Sequence, residues 1–118
     1  MDKQKIKRIC FLPETINKSG KSIYDLLSDF KKKDFNNEFI KKDLKFIIKN
    51  NPEIIENWLT YSSDKEPGPG FFFNQTASNY ELGYINKNGE KINSELYENK
   101  YEACSLFIYN EILEVIKE

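Results

Sequence analysis

The sequence predicts an α+β domain, with a small antiparallel β-sheet (a hairpin or three strands) packed against three N-terminal helices and a long C-terminal helix. Three observations point to this class. Apolar residues recur at three-to-four spacing before residue 62 and again after residue 99, aromatic segments of strand length fill the stretch between, and Pro-Gly and Asn-Gly pairs punctuate it. At 118 residues, with 39% hydrophobic and 14% aromatic content, the chain has the length and apolar content of a single domain, expected over 1–118.

The elements follow in order. Lys5 to Leu12 is short, rich in Ile and Phe and stopped by Pro13, which suits a strand or an extended arm. Ser22 precedes Ile23, Leu26, Leu27 and Phe30 at helical spacing, with Asp25 three residues on as in a capping box, so a helix is expected over about 22–33. A second helical pattern starts at Asn37 and carries Phe39, Ile40, Leu44, Ile47 and Ile48, with Lys41, Lys42, Lys45 and Lys49 on its wetter side. Asn51-Pro52-Glu53 ends it and opens a third helix bearing Ile54, Ile55, Trp58, Leu59 and Tyr61.

Ser62 to Gly70, with its Pro67-Gly68-Pro69-Gly70 run, reads as the main loop. Phe71 to Thr76 and Tyr80 to Ile85 read as a hairpin joined by Ala77-Ser78-Asn79, and an Asn88-Gly89 turn returns Lys91 to Leu96 as a third strand. Asn99 caps the final helix, where Tyr101, Cys104, Ile108, Ile112 and Val115 make the apolar stripe and Leu106, Phe107, Leu113 and Ile116 widen it. Glu111, Glu114 and Glu118 are assigned to its solvent side.

Composition narrows the chemistry. There is no histidine, which excludes Ser-His-Asp, Cys-His and zinc-His schemes, and Arg8 is the single arginine among 18 cationic side chains, which leaves no multi-arginine clamp for phosphate. Catalytic residues, metal ligands and cofactors are accordingly expected to be none. Cys10 and Cys104 stand far apart in no redox or metal spacing and are expected to be two buried thiols. No apolar run approaches the roughly 20 residues of a membrane span, nor is there a signal-peptide core, so a cytoplasmic location is expected. Asn74-Gln75-Thr76 matches a glycosylation sequon by chance in that setting.

Charge is unevenly spread. Residues 1 to 49 carry a net +6 and residues 50 to 118 a net −7, so the second half suits a partner with a basic active site. Asp64 with Glu66 or Glu81 has the form of an acid/base pair, but no nucleophile, phosphate cradle or metal spacing accompanies it. Lys31-Lys32-Lys33 with Lys41, Lys42, Lys45 and Lys49 resembles a nucleic-acid footprint, yet a solvated helix face looks the same and the pI of about 5.6 argues against it. Phe71, Phe72 and Phe73 in one strand must put at least one ring opposite the other two, leaving a face that is either covered or sticky.

An ordered set of short matches adds a resemblance. Ser22-Ile23-Tyr24-Asp25-Leu26-Leu27, Asn51-Pro52-Glu53, Trp58 through Lys65, Gly70-Phe71-Phe72-Phe73, Tyr80, Gly83-Tyr84 and Tyr101-Glu102-Ala103-Cys104 with Phe107-Ile108 together resemble the immunity proteins of contact-dependent growth inhibition and related bacterial polymorphic toxin systems. The likeness runs over roughly residues 22–110. Two departures lie in the main loop: Glu66 where the family pattern tends to have arginine, and Pro67-Gly68-Pro69 in place of small polar residues, which would alter any contact made there.

What the resemblance implies is a non-catalytic inhibitor that binds one cognate toxin domain, often a nuclease, as a one-to-one heterodimer, touching neither nucleic acid nor membrane. The residues expected to meet the toxin are Asp64, Lys65, Glu66, Glu81, Glu111 and Glu114. The alternatives are an adaptor or regulatory protein with no toxin and, after it, a nucleic-acid-binding regulator.

Overall fold

Asp2 opens the chain's first helix, and this corrects the strand or arm expected there. In the computed structural model, which describes residues 2–65 and 68–116, the Asp2 carboxylate accepts the Lys5 N–H at 2.9 Å and starts α1 (Lys3–Cys10). Ile6, Ile9 and Cys10 share one face at helical spacing and are fully buried. Pro13 does not stop a strand; it sits in the first turn of α2 (Leu12–Ser19), where its missing N–H costs nothing, and Gly20 at φ +73° ends that helix.

The helix expected over 22–33 is two single turns, α3 (Ile23–Leu26) and α4 (Lys32–Phe35). Ser22 does cap the first, accepting the Asp25 N–H at 3.1 Å, but Phe30 and Phe35 are both buried and the chain turns between them to bring both inward. Next come α5 (Glu38–Asn50), capped by Asn37, and α6 (Glu53–Lys65). Asp64 and Lys65 therefore close a helix and do not lie in the loop.

Strands β1 (Gly70–Gln75), β2 (Tyr80–Ile85) and β3 (Lys91–Tyr97) form an antiparallel sheet in the order β1-β2-β3, and α7 (Lys100–Val115), capped by Asn99, packs across it. The fold is thus α+β, with six helical segments among the described residues before the sheet. α5 covers the far side of α7, α6 runs along the outer edge of β1, α1 lies on α5, and α2 on α6. One buried cluster joins these layers, with Trp58, Phe35, Phe73, Phe107 and Ile108 at its centre.

Pairing explains the three phenylalanines. Phe71 and Phe73 lie opposite Tyr84 and Leu82 on the helix side, where Phe73 stacks on Phe107 at 5.4 Å between ring centroids. Phe72 points the other way and is nonetheless fully buried. It lies over Gly83, where a Cβ would come within 2.7 Å of the ring, and under the Lys91 ammonium at 4.8 Å. The Phe72 ring is thus covered by the protein's own side chains, while Leu96, opposite Glu81 on the same face, stays 62% exposed. On the sheet's opposite margin β3 bulges: Gly83 faces both Asn93 and Ser94, and Asn93 takes the left-handed φ of +53°. At the β1 margin the buried Ser62 hydroxyl accepts the Phe73 N–H at 2.7 Å, satisfying an edge donor that β2 does not reach.

Both thiols are free and buried. Burial pushes Cys10 up from 9.0 to about 12, and burial followed by the nearby Cys10 charge raises Cys104 well above its ordinary value. Raised thiol values favour the neutral form in the folded state, so their stability contribution is complete below about pH 9 and is lost as pH climbs toward 12. Thiol labelling near pH 8 should therefore proceed no faster than global unfolding, and the denaturation midpoint should fall above pH 9. Fast labelling of both cysteines in native protein would contradict this packing.

Candidate partner-binding surface

The end of α6, the margin of the sheet and the last turns of α7 gather most of the side chains picked out as contacts. Geometry divides them into three groups.

Lys65 and Glu111 turn inward and meet each other. The Lys65 ammonium donates to one Glu111 oxygen at 2.8 Å, and the Tyr61 hydroxyl donates to the other at 2.6 Å. The Glu111 side chain is 5% exposed and that of Lys65 25%, so this bridge fastens α6 to α7 and Glu111 offers a partner almost no surface. Glu111 was assigned to the solvent side; its true place is within the stripe, four residues after Phe107 and three after Ile108. Gly70 makes the arrangement possible: at φ +137° it carries no side chain, and a Cβ there would sit 3.0 Å from the Lys65 nitrogen. Burial, then the Glu111 charge, raises the Tyr61 phenol far above its usual value, keeping it a donor.

Glu114 stands apart from both the bridge and the α6 edge. It is exposed on the next turn of α7, accepts a long 3.4 Å bond from the Tyr84 hydroxyl, and raises that phenol chiefly through its charge. Glu66 lies outside the described residues.

Asp64 and Glu81 do come together. They line an open concavity of ≈ 610 Å³ between α6 and the β1–β2 hairpin, with Glu56 as a third carboxylate and Thr60, Ser63 and Asn74 among the polar walls. Among the described residues no lysine or arginine lines it. Lys91 approaches Glu81 from behind at 3.7 Å, and the Ser94 hydroxyl donates to the same carboxylate, which holds it in place at partial cost to its charge. Glu56 was missed because nothing in a single helical carboxylate distinguishes it from a solvated one. Its spacing from Asp64 does not help either, since eight residues on a helix leave the two about 80° apart, and the hairpin packed beside α6 is what closes both into one concavity.

A second, smaller cleft of ≈ 290 Å³ opens on the other flank of α6, between Glu14 and Asn17 of α2 and Asn57, Tyr61 and Asp64. Asp64 thus stands on the ridge between two concavities, exposed to both.

Among the described residues no helix is long and apolar enough to cross a membrane. In comparisons with known proteins, no family model, no curated protein and no solved structure matches this chain.

Proposed function

We propose that this protein is an immunity protein that acts in the cytoplasm, where it binds a cognate toxin nuclease domain and occludes its active site. What carries the reading is the concavity between α6 and the hairpin, which presents Glu56, Asp64 and Glu81 with no cation among its described lining residues. A nuclease holds phosphate in a basic groove, and carboxylates on a rigid rim would take the place of that phosphate. Rigidity comes from below: the Lys65–Glu111–Tyr61 bridge fixes the end of α6, and Ser62 ties it to β1. The ordered matches from Ser22 to Ile108 support the same reading.

Co-expression with a candidate toxin domain from a neighbouring gene is the test. Cells should survive and a one-to-one complex should purify. A Glu56→Lys/Asp64→Lys variant should still fold but bind at least about a hundredfold more weakly, since like charges facing a basic groove cost several kcal/mol. Toxicity unrelieved by the folded wild-type protein would remove the reading.

A further inference from the structure

α5 carries two apolar faces, and the core uses one. Ile40, Leu44 and Ile48 are buried against the rest of the molecule. On the opposite side Phe39 is 72% exposed and Phe46 66% exposed, the two most exposed large apolar side chains described. Seven residues apart, they are two turns apart on one face, about 10 Å along the helix. Large exposed aromatics at helical repeat are what a surface shows when something covers it.

Charge says what that something is. Lys42 is exposed along one flank of the Phe39–Phe46 stripe, its ammonium 6.0 Å from the Phe39 ring, whereas Lys49 reaches toward the Tyr101 ring of α7 at 5.9 Å. On the other flank Lys3 and Lys7 of α1 border a shallow dimple of ≈ 110 Å³ that includes Phe46 and Asp43. Lys3, Lys7 and Lys42 against Asp43 leave the patch cationic, with the neighbouring Glu38 drawn toward Lys41 at 3.9 Å, so its occupant is anionic. A second copy of this chain would bring the same lysines together across a two-fold axis, which disfavours self-association through this face.

Shape separates the anionic candidates. The rings protrude from a convex helix, and the ≈ 110 Å³ dimple beside them offers a protein partner room for about one side chain. Bases stack on rings lying along a cationic groove, which this face lacks. Protruding rings between lysines fit a fluid layer that opens around them, and lysine, a compact point charge without arginine's fork, suits a diffuse array of lipid headgroups.

We infer that the α1–α5 face docks this protein peripherally on an anionic lipid bilayer, with Phe39 and Phe46 inserted among the headgroups and Lys3, Lys7 and Lys42 against their phosphates. The inference is independent of the toxin reading, because it uses the side of α5 turned away from α7 and from the acidic concavity beyond it. With the acidic rim facing outward, a docked molecule would still present that rim to a protein partner.

The test is flotation of the full chain with vesicles of phosphatidylcholine alone or with added phosphatidylglycerol. Binding is expected to the anionic vesicles and not to the neutral ones, and it should fall as salt is raised. Phe39→Ala/Phe46→Ala should weaken it at least about tenfold, and Lys7→Gln/Lys42→Gln should reduce the preference for anionic lipid. Both variants change exposed positions, and unaltered thermal unfolding would confirm that they fold.

Several results would overturn the inference. These are absence of binding to anionic vesicles, equal binding to both vesicle types, or indifference to the paired phenylalanine substitution. Retention on single-stranded polynucleotide with the same phenylalanine dependence would assign the face to nucleic acid, and a dimer dispersed by that substitution would assign it to a second copy.

Discussion

A Lys65→Met variant should lose about 3 kcal/mol of folding stability, the lower end of the range for breaking a buried ion pair, because it strands the Glu111 carboxylate with one neutral donor. The ammonium also lies 6.0 Å from the Phe107 ring centroid, so the loss combines the ion pair with that cation–ring contact. Glu111→Leu strands the ammonium instead, and since the Lys65 side chain is 25% exposed, water relieves part of that penalty and the cost should be smaller. Combining the two removes both charges and should recover most of the loss. Urea denaturation of the three variants measures the coupling. If Lys65→Met costs under about 1 kcal/mol, the value of an exposed pair, the bridge is screened and does not anchor α6.

The second large effect is expected at Trp58. Its side chain is fully buried, its indole N–H donates to the Cys10 carbonyl at 2.9 Å, and its ring meets Tyr61 and Phe107 edge-on at 5.0 and 6.0 Å. One residue thus joins the end of α1 to α6 and α7. Trp58→Ala should cost about 3–5 kcal/mol, a large share of the roughly 5–15 kcal/mol of a whole domain. Trp58→Phe keeps most of the volume but leaves the Cys10 carbonyl without its donor, for about 1–3 kcal/mol. Far-UV circular dichroism is the measurement to use, since the substitutions remove the chain's one tryptophan. Equal costs for the two variants would place the stabilisation in the hydrogen bond and not in the packing.

The sheet and the last helix were legible because their punctuation is chemical. Gly70, Gly89 and Asn99 sit where the backbone needs a left-handed turn or a cap, and the strands fall within two residues of expectation. The first helix was not read because Ile6, Ile9 and Leu12 were weighed as a short apolar run, when Asp2 three residues before Lys5 was the cap that decides for a helix. Phe39 counts with Ile40 in the apolar pattern of its helix, but adjacent helical positions differ by about 100°, and here Ile40 faces inward while Phe39 does not.

The candidate site was half legible. Asp64 and Glu81 share a concavity that no linear spacing announces, since the register of β2 against β1 sets the distance between them. Glu111 carried a signal that went unused: a carboxylate inside an apolar stripe must find a donor, and Lys65 and Tyr61 are the donors, 46 and 50 residues earlier in the chain.

The bulge at Asn93 has a further consequence for the protein in a crowded cell. A sheet that ends in an unpaired outer strand is a template on which foreign β segments can polymerise. Here the repeat of backbone donors and acceptors is broken midway along β3, so an incoming strand meets a few matched groups and then falls out of step. The molecule carries a built-in stop against fibril growth in the strand farthest from α6.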